Sequence, residues 1–191
     1  MACVAFSQQS EALIQAFSQS YAKETVGQYE EAINSLRPFL HSRSYETNLR
    51  FGWLYYLKED YTQSAKHYSR AMKIMPLAIE AKLGYVLPES AMGNWNKVTN
   101  TYKDILQIDP KNSLVNYRIG LIYYNQGDFN KAYHHLELVI NLYPFDYDTV
   151  ILFAWINLKM GKISQGKALF HRALMIYPGS ESAREGLNLL H

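Results

Sequence analysis

Six histidines (His41, His67, His134, His135, His171 and His191) and a single cysteine, Cys3, are the side chains of this chain best suited to nucleophilic or metal chemistry. Their spacing does not assemble it. His134 and His135 are adjacent, so on a helix they point about 100° apart and do not converge on one ion. A His-Glu-x-x-His zinc pattern, a phosphate-cradling glycine loop and a nucleophile elbow are all absent from the sequence. His134 and Glu137 lie one helical turn apart, a spacing that solvated helix surfaces produce often. Glu30 and Glu31 read as a solvated helix start, favoured by the positive end of the helix dipole. Arg37 near His41 carries no stronger signal. A lone cysteine excludes an internal disulfide and a cysteine-based zinc site. These residues therefore point to a non-catalytic protein without a cofactor or metal.

Composition narrows the class further. The chain has 191 residues, 48% of them hydrophobic, and a net charge of +2. That much apolar content supports a packed core. No uninterrupted apolar run reaches the ~18 residues of a membrane span, so no integral membrane segment is expected. No block of like charges and no basic stripe stands out, so a nucleic-acid partner is not expected either. Sixteen tyrosines and three tryptophans imply aromatic packing, an aromatic surface, or both. Residues 1–10 are apolar and lack Lys and Arg. They read either as the start of a helix or as the end of a truncated export signal, with small residues before Gln8 or Gln9. The compartment stays open between cytoplasmic and exported.

The elements that would position any site come from a repeat. Pro76, Pro110, Pro144 and Pro178 are each separated by 34 residues. Gly52, Gly120 and Ala154 keep the same period, as do Gly127 and Gly161, where a helix must end and the chain must turn. Gly27-Gln28-Tyr29, Gly93-Asn94-Trp95 and Gly127-Asp128-Phe129 repeat one arrangement. Asn116, Gly120 and Tyr123 fall at i, i+4, i+7 on one helix; Ala132, Leu136 and Val139 do so on the next. Each proline then stops a second helix. One short helix pair cannot bury its apolar face alone, whereas stacked pairs share a continuous core.

The segment from Tyr117 to Tyr133, closing at Tyr143-Pro144, resembles a tetratricopeptide repeat. With Ser113 as position 1, the family's small residue at 8, Tyr at 11, Ala at 20 and Pro at 32 fall on Gly120, Tyr123, Ala132 and Pro144. Leu136 and Val139 take positions 24 and 27. The resemblance implies an all-α fold: a right-handed α-solenoid of antiparallel helix pairs, with about five units and a C-terminal capping helix. Residues 45–78, 79–112, 113–146 and 147–180 are the better repeats, 11–44 a degenerate one, and 181–191 the cap, in a single solenoid over 11–191. In the unit 79–112, Leu83-Gly84 places the small residue two positions early and Pro88 falls inside the first helix. A kink or a shifted register is expected there.

The resemblance also implies a concave groove lined by the first helix of each pair. Position 5 is Leu49, Leu83, Tyr117 and Ile151. Position 9 is Trp53, Leu87, Leu121 and Trp155. Position 12 is Tyr56, Ser90, Tyr124 and Leu158. Arg50 and Arg118 stand at position 6, with Glu46, Glu80 and Asp148 along the edge at position 2. The Lys/Asn clamp with which some family members hold a terminal carboxylate is absent. An apolar, aromatic strip of this length marks an interaction site. The expected partner is another protein, offering an apolar or aromatic peptide or helix. Two alternatives stay open: self-association into a homo-oligomer, and burial of the strip within the chain.

Overall fold

The computed structural model describes residues 2–40 and 44–190, with side chains from residue 10 onward. His41 and His191 lie outside the described residues, as does the side chain of Cys3. Every described element is helical. α1 spans Ala2–Thr25 and α2 Tyr29–Leu36, followed by a 3-10 turn at Arg37–Phe39. Then come α3 Tyr45–Leu57, α4 Tyr61–Ile74, α5 Ile79–Ala91, α6 Trp95–Ile108, α7 Ser113–Asn125, α8 Phe129–Leu142, α9 Tyr147–Lys159, α10 Ile163–Ile176 and α11 Glu181–Asn188. The leader expected at residues 1–10 coincides with the first turns of α1, whose side chains are described only from residue 10. The chain forms two compact units, Met1–Thr101 and Tyr102–His191, with the division inside α6.

Local chemistry sets the element boundaries. Ser44, Asp60, Asn112, Asp128, Asp146 and Ser180 each accept a hydrogen bond from the backbone N–H three residues on and so cap the helix that follows. Gly93, Gly127 and Gly161 take positive φ at the turn inside their pairs. Glu59 holds the equivalent place in the unit 45–78 and adopts φ 63° without being glycine, a conformation that costs an L-residue roughly 1 kcal/mol or more.

Unit 1 builds its core from Ala32, Ile33 and Leu36 of α2 and Phe51 and Leu54 of α3, with Ala16 of α1 behind them. Tyr68 of α4 is buried between two glycines: a Cβ on Gly52 of α3 would stand 2.8 Å from its ring, and one on Gly84 of α5 2.1 Å. This contact corrects the expected register shift. α5 begins at Ile79, 34 residues after Tyr45 and 34 before Ser113, so the register is unchanged. Val86 occupies the small-residue position and is buried. Gly84 is glycine for a different reason: it seats the aromatic ring arriving from the preceding pair. α5 is helical through Pro88, which lies in its last turns.

Unit 2 repeats the logic with other sizes. Leu136 of α8 packs on Gly120, where an added Cβ would stand 1.9 Å from its Cδ2. At the place equivalent to Gly84 this unit carries Leu152, also buried. Where an aromatic returns, at Phe170 of α10, the glycine returns too: a Cβ on Gly186 of α11 would lie 2.2 Å from the ring. At these two contacts the ring sits where the opposite side chain is missing, whereas Tyr102 of α6, buried at the same place in its pair, has Arg118 at the corresponding position of α7.

Candidate functional site

The first helix of each pair turns one face to the second helix and one face outward. Leu49, Trp53, Tyr56, Leu83, Leu87, Tyr117, Leu121, Tyr124, Ile151 and Trp155 all fall on the second face and are all half-buried. None is sealed in the core and none is fully solvated. The structure therefore presents two apolar strips, one on α3 and α5 of unit 1 and one on α7 and α9 of unit 2.

In unit 1 the Trp53 and Tyr56 rings stack at 5.8 Å, and Tyr56 meets Tyr61 of α4 at 5.8 Å. The Trp53 indole N–H donates to Glu24 Oε1 of α1 at 2.7 Å. Glu24 Oε2 takes the guanidinium of Arg50. Arg50 also donates from Nε to Ser20 Oγ at 3.1 Å and lies 3.9 Å from the centroid of the Tyr21 ring. Its side chain is 5% exposed. Arg50 is thus an internal tie between α1 and α3 rather than a free groove cation, and its Nη2 is buried without a hydrogen-bond partner. Of the groove-edge carboxylates, Glu80 accepts from the Tyr45 hydroxyl at 3.2 Å. Burial, then this acid, pushes the Tyr45 phenol up to about 12.

In unit 2 the Trp155 indole N–H donates to Ser182 Oγ of α11 at 2.8 Å, and its ring meets Phe170 edge-on at 5.2 Å. Tyr124 meets Phe129 at 5.7 Å. Burial raises the Tyr124 phenol above its ordinary value, and the negative charge of Glu185 on α11 adds to the effect. Tyr117 is raised in the same way, by burial and then by Asp148. Arg118 is exposed and makes no ion pair; with Tyr117, Tyr143 and Asp148 it lines an open pocket of about 380 Å³.

Two features were not read from the sequence. His67 and His135 each bond an asparagine on the first helix of their own pair: His67 Nδ1 lies 3.0 Å from Asn48 Oδ1, and His135 Nδ1 2.9 Å from Asn116 Oδ1. The signal was present, because both pairs are 19 residues apart. Burial, followed by Arg70 and Lys66, pushes His67 down to about 4. Burial also lowers His135, with His134 and Lys103 adding to it. These are packed, neutral imidazoles. The second feature corrects the expectation that no basic stripe exists. Lys66, Arg70 and Lys73 lie at i, i+4, i+7 on α4, a helix without an acidic residue, and a near-zero net charge conceals them.

His134 and Glu137 are both exposed, and Glu30 forms surface ion pairs with Lys58 and Arg37. Among the described residues no group of three or more His, Cys, Asp or Glu side chains converges as metal ligands would, and no helix is long and apolar enough to cross a membrane.

The tetratricopeptide repeat family matches residues 113–146. No curated protein matches the chain. Among solved structures, a tetratricopeptide repeat protein from Parabacteroides merdae is similar with a TM-score of 0.80 at 16% identity, over 94% of this chain and 72% of that one. MamA of AMB-1 is similar with a TM-score of 0.75 at 17% identity, over 91% and 94% of the two chains. MamA from Desulfovibrio magneticus RS-1 has a TM-score of 0.74 at 13% identity, over 89% and 97%. At these identities the likeness is one of fold. With a matched repeat at 113–146 and helix pairs of the same period on either side of it, the chain has the all-α helical-repeat fold of the tetratricopeptide-repeat structures it resembles.

Proposed function

We propose that this protein is a non-catalytic interaction module that takes an apolar or aromatic peptide or helix of a partner on its first-helix faces. The observation behind this reading is the common state of the ten apolar strip residues. Each is half-buried and keeps accessible apolar surface, and the polar tips of the two tryptophans are already satisfied inside the chain. Such a surface gains from burial, with the hydroxyls of Tyr56, Tyr117 and Tyr124 left for the partner to answer. Tyr and Trp add large contact areas at low entropic cost. Trp53, Trp155 and Arg50 hold the faces in place, while Leu87, Leu121, Tyr56 and Tyr124 supply the contact.

The test compares the wild type with a Tyr56→Ala, Leu87→Ala, Tyr124→Ala variant as bait in the native source, both checked for helicity. The tryptophans are left unchanged because their hydrogen bonds tie neighbouring helices. A protein captured by the wild type and lost by the variant supports the reading; the same partners with both baits contradict it. A second reading, a self-assembling scaffold, draws on Tyr143, Phe145 and Tyr177, which stand exposed at the turns of unit 2. Sedimentation velocity separates the two, since self-assembly makes the mass of the purified chain rise with concentration.

A further inference from the structure

The outer face of α4 is unlike its counterparts in the other pairs. Lys66, Arg70 and Lys73 lie within a narrow arc of the helix and extend over about 10 Å of its length. None takes part in an ion pair. The equivalent places are Asn100, Asp104 and Gln107 in α6; His134, Leu138 and Asn141 in α8; and Ala168, Arg172 and Met175 in α10.

The turn that follows α4 exposes large apolar side chains, as do the turns after α8 and α10 with Tyr143, Phe145 and Tyr177, but here they adjoin three cations of the preceding helix. Residues 74–79 read Ile-Met-Pro-Leu-Ala-Ile, six apolar residues directly after Lys73. Leu77 is 76% exposed and Met75 48%. A solvated turn is ordinarily polar. The equivalent turn after α6 is so, with Asp109, Lys111 and Asn112 around its proline. Unpaired cations beside an exposed apolar tip are the features of a segment that lies at a lipid interface: the cations meet headgroup phosphates and the tip enters the acyl boundary. An acidic protein surface would answer the cations but gives no reason for an apolar tip.

We propose that the outer face of α4 and the turn 75–78 dock on the surface of an anionic phospholipid bilayer. This site lies on a second helix and is independent of the first-helix strips. It fits a chain whose described helices do not span a membrane, since the contact is peripheral.

The test is co-sedimentation of the full chain with vesicles of phosphatidylcholine containing about 30% phosphatidylserine, against phosphatidylcholine alone. The wild type is expected to partition onto the anionic vesicles, with binding that falls as salt rises. Lys66→Gln, Arg70→Gln, Lys73→Gln should weaken that binding by about tenfold or more. The control Lys111→Gln, Lys159→Gln, Lys167→Gln removes the same charge from unit 2 and should leave it nearly unchanged. Leu77→Asp should reduce binding with the cations intact. The substituted residues are exposed apart from half-buried Arg70, and helicity confirms folding. Absence of binding to the anionic vesicles overturns the proposal, as does equal loss in the α4 and control variants. Binding to soluble poly-glutamate without binding to vesicles reassigns the face to an acidic protein partner and overturns it as well.

Discussion

Arg50 and Arg118 stand two 34-residue periods apart, at the same place in α3 and α7, yet their surroundings are opposite. Arg50 is buried in unit 1, held by Ser20 and Glu24 and covered by Tyr21. Arg118 is exposed in unit 2 beside an open pocket. The tryptophans differ in parallel: Trp53 is tied to a carboxylate that also serves an ion pair, Trp155 to a neutral hydroxyl. The repeat fixes where a side chain stands, and the neighbouring helix decides whether it becomes a strut or a surface. α1 contributes Ser20, Tyr21 and Glu24 and so converts a groove position into an internal bond.

That contrast can be broken most severely at Glu24. Glu24→Ala removes the partner of a buried guanidinium and the acceptor of Trp53 together, and it should destabilise the protein by about 3 kcal/mol or more. Arg118→Ala should change stability by less than about 0.5 kcal/mol. Denaturant titration of both variants checks the pair.

The two histidines sharpen the contrast through pH. His67 is 4% exposed and its pKa lies near 4, against an ordinary 6.5. Between those values the unfolded chain binds a proton that the folded chain does not, so stability falls as pH drops from about 6.5 to about 4. The loss should be on the order of 3 kcal/mol. His135 is less buried and is lowered in the same direction, so it adds to the loss with the same sign. Unfolding followed at pH 7 and pH 4.5 should show the acid loss reduced in His67→Gln. An unchanged loss would show that the imidazole is already protonated in the folded chain.

Packing separates the units at a third place. Gly84→Ala drives a methyl group into the Tyr68 ring and should cost about 2 kcal/mol. Tyr68→Leu, which copies the Leu136 of unit 2, should absorb much of that cost when combined with it. A double-mutant cycle reads the coupling, and strict additivity would mean that the ring and the glycine do not share a seat. The smallest effect is at Glu59. Glu59→Gly should stabilise unit 1 by about 0.5–1 kcal/mol, because it places at this turn the residue that Gly127 supplies in unit 2. The melting temperature measures it.

Much of the architecture was legible in the sequence. The 34-residue period, the glycine turns and the prolines are signals local to each pair. They locate the helices beginning at Tyr45, Ser113 and Tyr147, and the terminal helix from Glu181. Gly84 was misread because its reason lies in the preceding pair: a small residue was taken as a sign of register, when it answers the ring of Tyr68. The asparagine–histidine bonds and the Glu24 bridge likewise join residues of different helices, and such pairings leave only a faint trace in a single chain. The placing of the strip residues on the first helices followed from the repeat register. The burial of Arg50 did not, because it depends on what α1 places against it. The α4 stripe was hidden by counting charge along the chain rather than around a helix.

The most direct test of the account places a photo-crosslinking phenylalanine analogue at Tyr56, Leu87 and Tyr124 on the first-helix faces, and at exposed Glu137 on α8, in protein expressed in its native source. The account predicts crosslinks to one common partner from the first three positions and none from Glu137. Crosslinks from Glu137 with none from the first-helix faces would contradict the assignment of those faces as the binding surface.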